Sequence, residues 1–363
     1  MKVLTLRGIH KSYGDLDVLK GLDLDVEEGT VYGFLGRNGA GKSTALRTIM
    51  GITYADAGNI ELLGDPVTGD APELRQQVGY VAQEQHFYDW MTTESIGRFV
   101  AGFYPSWDKA EYLRLIKLLE IPTGRKIRGF SGGNHAKLAL ALALATRPRL
   151  LLLDEPTAGM DAVARREFID IVRDQARSDQ RTTLFSSHLI DEVERAADQI
   201  GVIDEGKMRF EGTLDDLRRS VRRYIYAPVK SVSAPPAQQW HAPVADSIAG
   251  GPEIEGSLSA HEVATDPVLE PGQGQEQGQE LAQAQLLQSL LGEHHHAATV
   301  LRNETYAPST VSGSEDAAGQ ALVVELPINR PINDQVGLPQ GWQREPISLE
   351  DIFLAMVGRH TSL

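Results

Sequence analysis

The 363-residue sequence has no cysteine. Disulfides, thiolate metal sites and cysteine nucleophiles are therefore excluded. Aromatic residues are scarce, at 6%. Long apolar runs are missing too: the longest, Leu138–Ala145, has eight residues, whereas a membrane-spanning helix needs about 20. The chain is not expected to cross a bilayer by itself. Its opening, MKVLTLRGIHKSYGD, has no continuous apolar stretch of signal-peptide length. Basic residues are in deficit, 35 against 50 acidic, for a net charge of −15. That deficit sits in 226–363, which carries 5 basic and 17 acidic residues, whereas 1–225 carries 30 and 33. No basic surface invites nucleic acid. These absences favour a cytosolic protein.

What is present divides into two textures. Up to about Tyr226, apolar segments alternate with turn signals and helical patterns, as in an α/β domain. Between 231 and 292 the chain becomes biased, with SAPPAQQ and then PGQGQEQGQELAQAQLLQSLLGEHHH. Gly, Gln and Glu in such density cannot bury enough apolar surface to offset ordering entropy. This composition predicts a disordered insertion, with a short helix within 280–291. His294–His296 are adjacent rather than spaced as ligands, which argues against a metal site. Order is expected to return with the strand-like 321–326. The segment 347–357 then reads as a closing amphipathic helix, with Ser348 as N-cap and Asp351 three residues on.

Two continuous apolar runs, Val31–Leu35 and Leu150–Leu153, read as central parallel strands covered on both faces. The first leads directly into Gly36-Arg37-Asn38-Gly39-Ala40-Gly41-Lys42-Ser43-Thr44 and then a helix. This is G-x-x-x-x-G-K-[ST] between a strand and a helix, a phosphate-binding loop. Its glycines turn successive N–H groups toward phosphate oxygens, and the helix N-terminus adds partial positive charge. Lys42 is expected to reach the β- and γ-phosphates, and Ser43 to ligate Mg²⁺. The second run ends in Asp154-Glu155. A carboxylate at that end of a parallel strand overlooks the ligand crevice. Asp154 is expected to hold Mg²⁺ and Glu155 to polarise the attacking water.

Further marks narrow the choice among phosphate-loop proteins. Gly129-Phe130-Ser131-Gly132-Gly133-Asn134 stands ahead of Asp154, Gln83 closes Tyr80-Val81-Ala82-Gln83, and Ala158-Gly159-Met160-Asp161 follows the acidic pair. His188 ends Phe185-Ser186-Ser187-His188, and Tyr13 lies in Lys11-Ser12-Tyr13-Gly14. In this order they resemble the signature sequence, Q-loop, D-loop, switch histidine and adenine-stacking aromatic of ATP-binding-cassette (ABC) ATPases. The resemblance covers 1–225 almost continuously. It implies an α/β P-loop NTPase cassette with a helical subdomain at about 87–128, followed by an acidic accessory region over 226–363.

The resemblance also implies roles. Gly36, Asn38, Gly39, Ala40, Gly41, Lys42, Ser43 and Thr44 would cradle ATP, with Tyr13 stacked on its base. Ser43, Gln83 and Asp154 would serve Mg²⁺. Glu155, His188 and Gln83 would act in hydrolysis. Ser131, Gly132, Gly133 and Asp161 would complete the site of a second copy, in a homodimer or with a paired ABC subunit. Asn134 departs from the usual Gln and Phe130 from the usual Leu.

The terminal Ser348-Leu349-Glu350-Asp351-Ile352-Phe353-Leu354 and Tyr104–Asp108 are similar to segments of bacterial type-2 exporter ATPases. A membrane permease is then the implied partner, received by Phe87, Tyr88, Trp90 and Met91, unless these residues pack within the subdomain. The implied location is cytoplasmic, on the inner face of the membrane. The alternative is a soluble ABC ATPase with a regulatory or mechanical role. Against it, the chain has one cassette and no long heptad insertion between Gln83 and Ser131; a GTPase is disfavoured too, since no N-K-x-D motif follows the phosphate loop.

Overall fold

The computed structural model describes residues 1–178, 181–226, 299–306, 319–325, 338 and 342–357. The expected insertion at 231–292, its helix within 280–291 and His294–His296 lie outside the described residues. Two compact units are formed, one from Met1–Arg222 with Pro346–Leu363, the other from Arg223–Glu345.

The first unit begins with the long strands β1 (Lys2–Tyr13) and β2 (Leu16–Glu27), whose alternating apolar residues bury one face. They pair antiparallel, and β1 also pairs with β4 (Ala57–Leu62), which is flanked by the short β5 (Asp65–Pro66). Between them in sequence come β3 (Val31–Leu35) and α1 (Lys42–Ile49). The short α2 (Pro72–Arg75) leads to β6 (Val78–Val81). Then follow α3 (Thr93–Ala101), α4 (Lys109–Leu118) and α5 (Gly132–Ala145).

The rest of this unit runs β7 (Leu150–Asp154), α6 (Ala162–Ser178), β8 (Thr182–Ser187), α7 (Ile190–Ala196), β9 (Gln199–Asp204), β10 (Lys207–Gly212) and α8 (Leu214–Ser220). A central sheet has the order β10-β9-β3-β8-β7-β6. Its strands are parallel except for the β9–β10 hairpin. Every residue of β3, β7 and β8 is buried. This is the two-faced burial expected of continuous apolar runs. Leu4, Leu22 and Leu24 from the antiparallel sheet meet Leu46 and Ile49 of α1 and Phe34 and Leu152 of the central sheet in one core.

Ala136–Ala145, which alternates Leu and Ala, is helical within α5 and not a strand. Alanine's helix propensity and the Ser131 cap win over the apparent period of two.

In the second unit β11 (Val221–Tyr226) pairs antiparallel with β14 (Trp342–Glu345), and β12 (Thr299–Tyr306) with β13 (Gly319–Glu325). The β12 strand begins well before 321, where the sequence leads one to expect order. Its Thr, Val and Tyr favour extended backbone, and β13 gives it a partner along its length. The chain returns to the first unit as α9 (Leu349–Val357), capped by Ser348 Oγ, which accepts from the Asp351 amide at 3.0 Å. This helix packs on α7. Among the described residues no helix is long and apolar enough to cross a membrane.

Candidate functional site

The site forms where β3, β7 and β8 end together. Leaving β3, the backbone passes so close to β9 that a Cβ on Gly36 would lie 2.6 Å from the Ile203 carbonyl oxygen. At Gly41 the chain takes φ 109°, a left-handed value that glycine adopts without strain, and α1 starts. Ala40 is buried and its carbonyl accepts from the Gly206 amide at 3.0 Å, while Asn38 and Gly39 stay exposed. Thr44 follows in the first turn of α1, partly buried.

Lys42 points back under this loop. Its Nζ donates to the Gly36 carbonyl at 2.7 Å and the Arg37 carbonyl at 3.1 Å, and lies 3.0 Å from Glu155 Oε1. The side chain is only 3% exposed. At Glu155 the other carboxylate oxygen is 3.5 Å from Gln83 Nε2 and 3.3 Å from His188 Nδ1. Lys42, Gln83 and His188, which follow β3, β6 and β8, thus converge on the one carboxylate that follows β7. Glu155 itself has φ 41°. A non-glycine residue in that region costs about 1–3 kcal/mol. Its amide is held by Ser186 Oγ at 2.9 Å.

Asp154 is fully buried. Its Oδ1 accepts from Ser43 Oγ at 2.8 Å and Ser186 Oγ at 3.0 Å, while Oδ2 has no hydrogen-bond partner. Burial raises its carboxyl above the usual aspartate range, against the pull of the two hydroxyls. A buried carboxylate oxygen without a donor, beside a serine hydroxyl, fits a hard divalent cation such as Mg²⁺. The sequence offered no sign of Ser186; a serine one strand away becomes legible only once β7 and β8 are paired.

The remaining candidates stand apart from this cluster. Tyr13, at the end of β1, is 48% exposed. Its hydroxyl is 3.2 Å from Thr53 Oγ1, and Lys11 Nζ lies 5.4 Å from its ring centre. Ser131 caps α5, with Oγ accepting from the Asn134 amide at 3.3 Å and its carbonyl 3.0 Å from His135 Nδ1. Nothing crowds Gly132. This helix start is open, and Ser131, Gly132 and Gly133 have no hydrogen bond to the phosphate loop among the described residues. Phe130 is buried beside His135, with Arg125 over its ring. Asp161 caps α6 by accepting from the Val163 and Ala164 amides at 3.0 and 2.9 Å, which pulls its carboxyl below the usual range.

Of the four residues after Gln83 singled out for a partner, Met91 is buried in the subdomain and Phe87 stacks on His135 at 5.9 Å. Tyr88 and Trp90 are 53% and 64% exposed. Tyr88 continues into Phe99 and Phe103, ring to ring. Nearby, Tyr80, Phe87, Val100, Tyr104 and Leu142 line a cavity of about 180 Å³.

The profile of the ABC transporter family matches residues 19–158. The ABC transporter ATP-binding protein YtrB of Bacillus subtilis (strain 168) is 34% identical over 216 residues, which cover 60% of this chain and 74% of the relative. The Nod factor export ATP-binding protein I of Burkholderia orbicola (strain AU 1054) is 39% identical over 215 residues, 58% of this chain and 70% of the relative. A solved structure of the ATP-binding subunit of an ABC transporter superposes with a TM-score of 0.54 at 29% identity, over 60% of this chain and 92% of that one.

Proposed function

Because the chain belongs to the family of ABC transporter ATP-binding proteins and is an ATPase cassette of that family, we propose that it powers a separate membrane permease that exports its substrate. The observation that carries the chemistry is the meeting of Lys42, Gln83 and His188 on Glu155 beside the phosphate loop. Export is the function named for the Nod factor relative, and the terminal Ser348–Leu354 segment is similar to that of exporter ATPases.

In this reading residues 1–225 are the nucleotide-binding domain, with a helical subdomain at about 87–128, and 226–363 is an accessory region. ATP enters over Gly36–Thr44, with its base on Tyr13. Its β- and γ-phosphates draw Lys42 off Glu155, because a polyanion outcompetes one carboxylate for the ammonium. Mg²⁺ fits Ser43, Asp154 and Gln83, where it would neutralise phosphate charge. Glu155, released from Lys42, accepts a proton from the attacking water. His188 donates to the γ-phosphate oxygens. Water adds to the γ-phosphorus and ADP leaves, giving ADP and inorganic phosphate.

Ser131, Gly132 and Gly133 form a helix start with free N–H groups, an anion site with no nucleotide of its own chain to serve. It serves the γ-phosphate of a second copy or paired ABC subunit, with Asp161 alongside. Tyr88, Trp90 and the neighbouring cavity receive a cytoplasmic helix of the permease. That partner holds the protein at the inner face of the cell membrane.

The experiment is size-exclusion chromatography of Glu155→Gln with and without ATP. The stalled variant is expected to pass from monomer to dimer on adding ATP, and a further Ser131→Arg to undo the shift. A variant that stays monomeric at saturating ATP removes the paired-site reading for the isolated subunit.

A further inference from the structure

Behind the site, on the first turn of α7, Glu192 is a carboxylate only 4% exposed. It does not cap its own helix, whose Leu189 amide is taken by Ser187 Oγ at 2.9 Å. Instead its two oxygens reach three other segments. Thr157 Oγ1 donates to Oε1 and Ser187 Oγ to Oε2, each at 2.6 Å. These are the short distances of charge-assisted O–H···O⁻ bonds. Arg165 Nε lies 3.4 Å from Oε1, and the same guanidinium donates to the Met160 carbonyl at 3.3 Å.

The identity of the tethered residues matters. Thr157 stands two positions after Glu155. Ser187 directly precedes His188. Met160 directly precedes Asp161. One buried carboxylate therefore fastens the backbones that carry the base, the switch histidine and the D-loop. The base needs such bracing, since it sits at φ 41°, and unfavourable backbone persists only where the surroundings over-determine it.

We propose that Glu192 is a positioning residue for ATP hydrolysis. It sets the 3.3 Å approach of His188 to Glu155 by tying Thr157 and Ser187 together from behind, and it passes that geometry to Asp161 through Arg165. It touches neither nucleotide nor water. The proposal rests on the assignment of Glu155 and His188 to hydrolysis.

The test uses the full chain and measures kcat, ATP affinity and melting temperature separately. Glu192→Ala is expected to lower kcat by about 10- to 100-fold, as for a misplacement of about 1 Å at reacting groups. ATP affinity should stay within about twofold, because the phosphate loop is untouched. Glu192→Gln should recover most of the rate, since an amide accepts from one hydroxyl and donates to the other. Thr157→Val and Ser187→Ala should each lower kcat, and adding Glu192→Ala to the pair should cost little more.

A folded Glu192→Ala with wild-type kcat overturns the proposal, as does a loss in which affinity falls as far as kcat. Should Glu192→Ala fail to fold, Thr157→Val and Ser187→Ala decide alone, and wild-type kcat in both overturns it. Glu155→Gln run in parallel separates the two failures. If it hydrolyses ATP at the wild-type rate, the base assignment falls and the proposal with it. If it is inert while Glu192→Ala is fully active, only the proposal falls.

Discussion

Along the carboxyl ends of β3, β7 and β8, the charged groups lie against one another: Lys42 on Glu155, Glu155 beside His188 and Gln83. From Tyr88 to Phe103, by contrast, four aromatic rings form an exposed strip. The polar edge is wired internally and must exchange those contacts for phosphate. The aromatic strip makes its ring contacts within itself and leaves each ring at least 43% exposed, and large exposed apolar surface marks an interaction site. In the proposed function one region competes with a small polyanion and the other is covered by a protein. Substitutions in the two should therefore fail in different observables.

The largest effect is expected at Lys42. Lys42→Ala removes the mobile cation at the β/γ-phosphates, and isothermal titration should find ATP binding lost. Affinity equal to wild type would refute the assignment of the polar edge. Glu155→Gln comes next. Losing a general base costs about 10²–10⁴ in rate, or roughly 3–5 kcal/mol of barrier. ATP affinity should rise, because Lys42 no longer has a carboxylate competing with the phosphates. A fall in affinity would mean that the Lys42–Glu155 contact helps to shape the loop.

On the helical side the effects are on stability and association. Leu115 of α4 is fully buried. Leu115→Ala should destabilise by about 2–5 kcal/mol, read from urea unfolding. A change under about 0.5 kcal/mol would mean that the helical region unfolds apart from the sheet. Tyr88→Ser with Trp90→Ser removes exposed rings, so unfolding should shift by no more than about 0.5 kcal/mol. Co-purification with the permease should be lost. Retained association would move the docking surface elsewhere.

Most of the polar edge was legible because its chemistry is carried by contiguous motifs. A strand run, a glycine loop and a helix occupy adjacent positions, as do a strand run and Asp154-Glu155. What did not show was everything that depends on strands meeting side by side. Ser186 reads as one more small residue of β8 until β8 lies next to β7. Glu192 reads as a surface acid of an amphipathic helix, and only the fold brings Thr157 and Ser187 to it. The Lys42–Glu155 pair also escaped notice, since a motif predicts a lysine's phosphate partner and not its partner within the protein. Among helices, Ser348 was legible as a cap because capping is a local hydrogen bond. The extent of β12 was not, because its partner strand follows it in the chain.

The smallest expected effect tests the link between α4 and α5 on the helical side. Asp108 caps α4, accepting from the Glu111 amide at 2.9 Å, and its Oδ2 takes Arg147 Nη2 at 2.8 Å. Arg147 stands two residues beyond the end of α5, so this one carboxylate links the start of α4 to the end of α5. The cap amide and then the guanidinium hold its carboxyl below the usual aspartate range. A folded pKa lower than the unfolded one adds stability above the unfolded value, about 3.9, and that stability is lost as pH falls through the folded value. Asp108→Asn keeps a capping oxygen, since Asn and Asp cap about equally well, but loses the charge facing Arg147. The variant should be slightly less stable than wild type at neutral pH, by far less than Leu115→Ala. The difference should shrink as pH falls below about 3.9 and close once the wild-type carboxyl is protonated. Melting curves at a series of pH values would check this. A difference that persists into acid would assign the loss to the cap geometry rather than to the charge, and the link between α4 and α5 would then not be electrostatic.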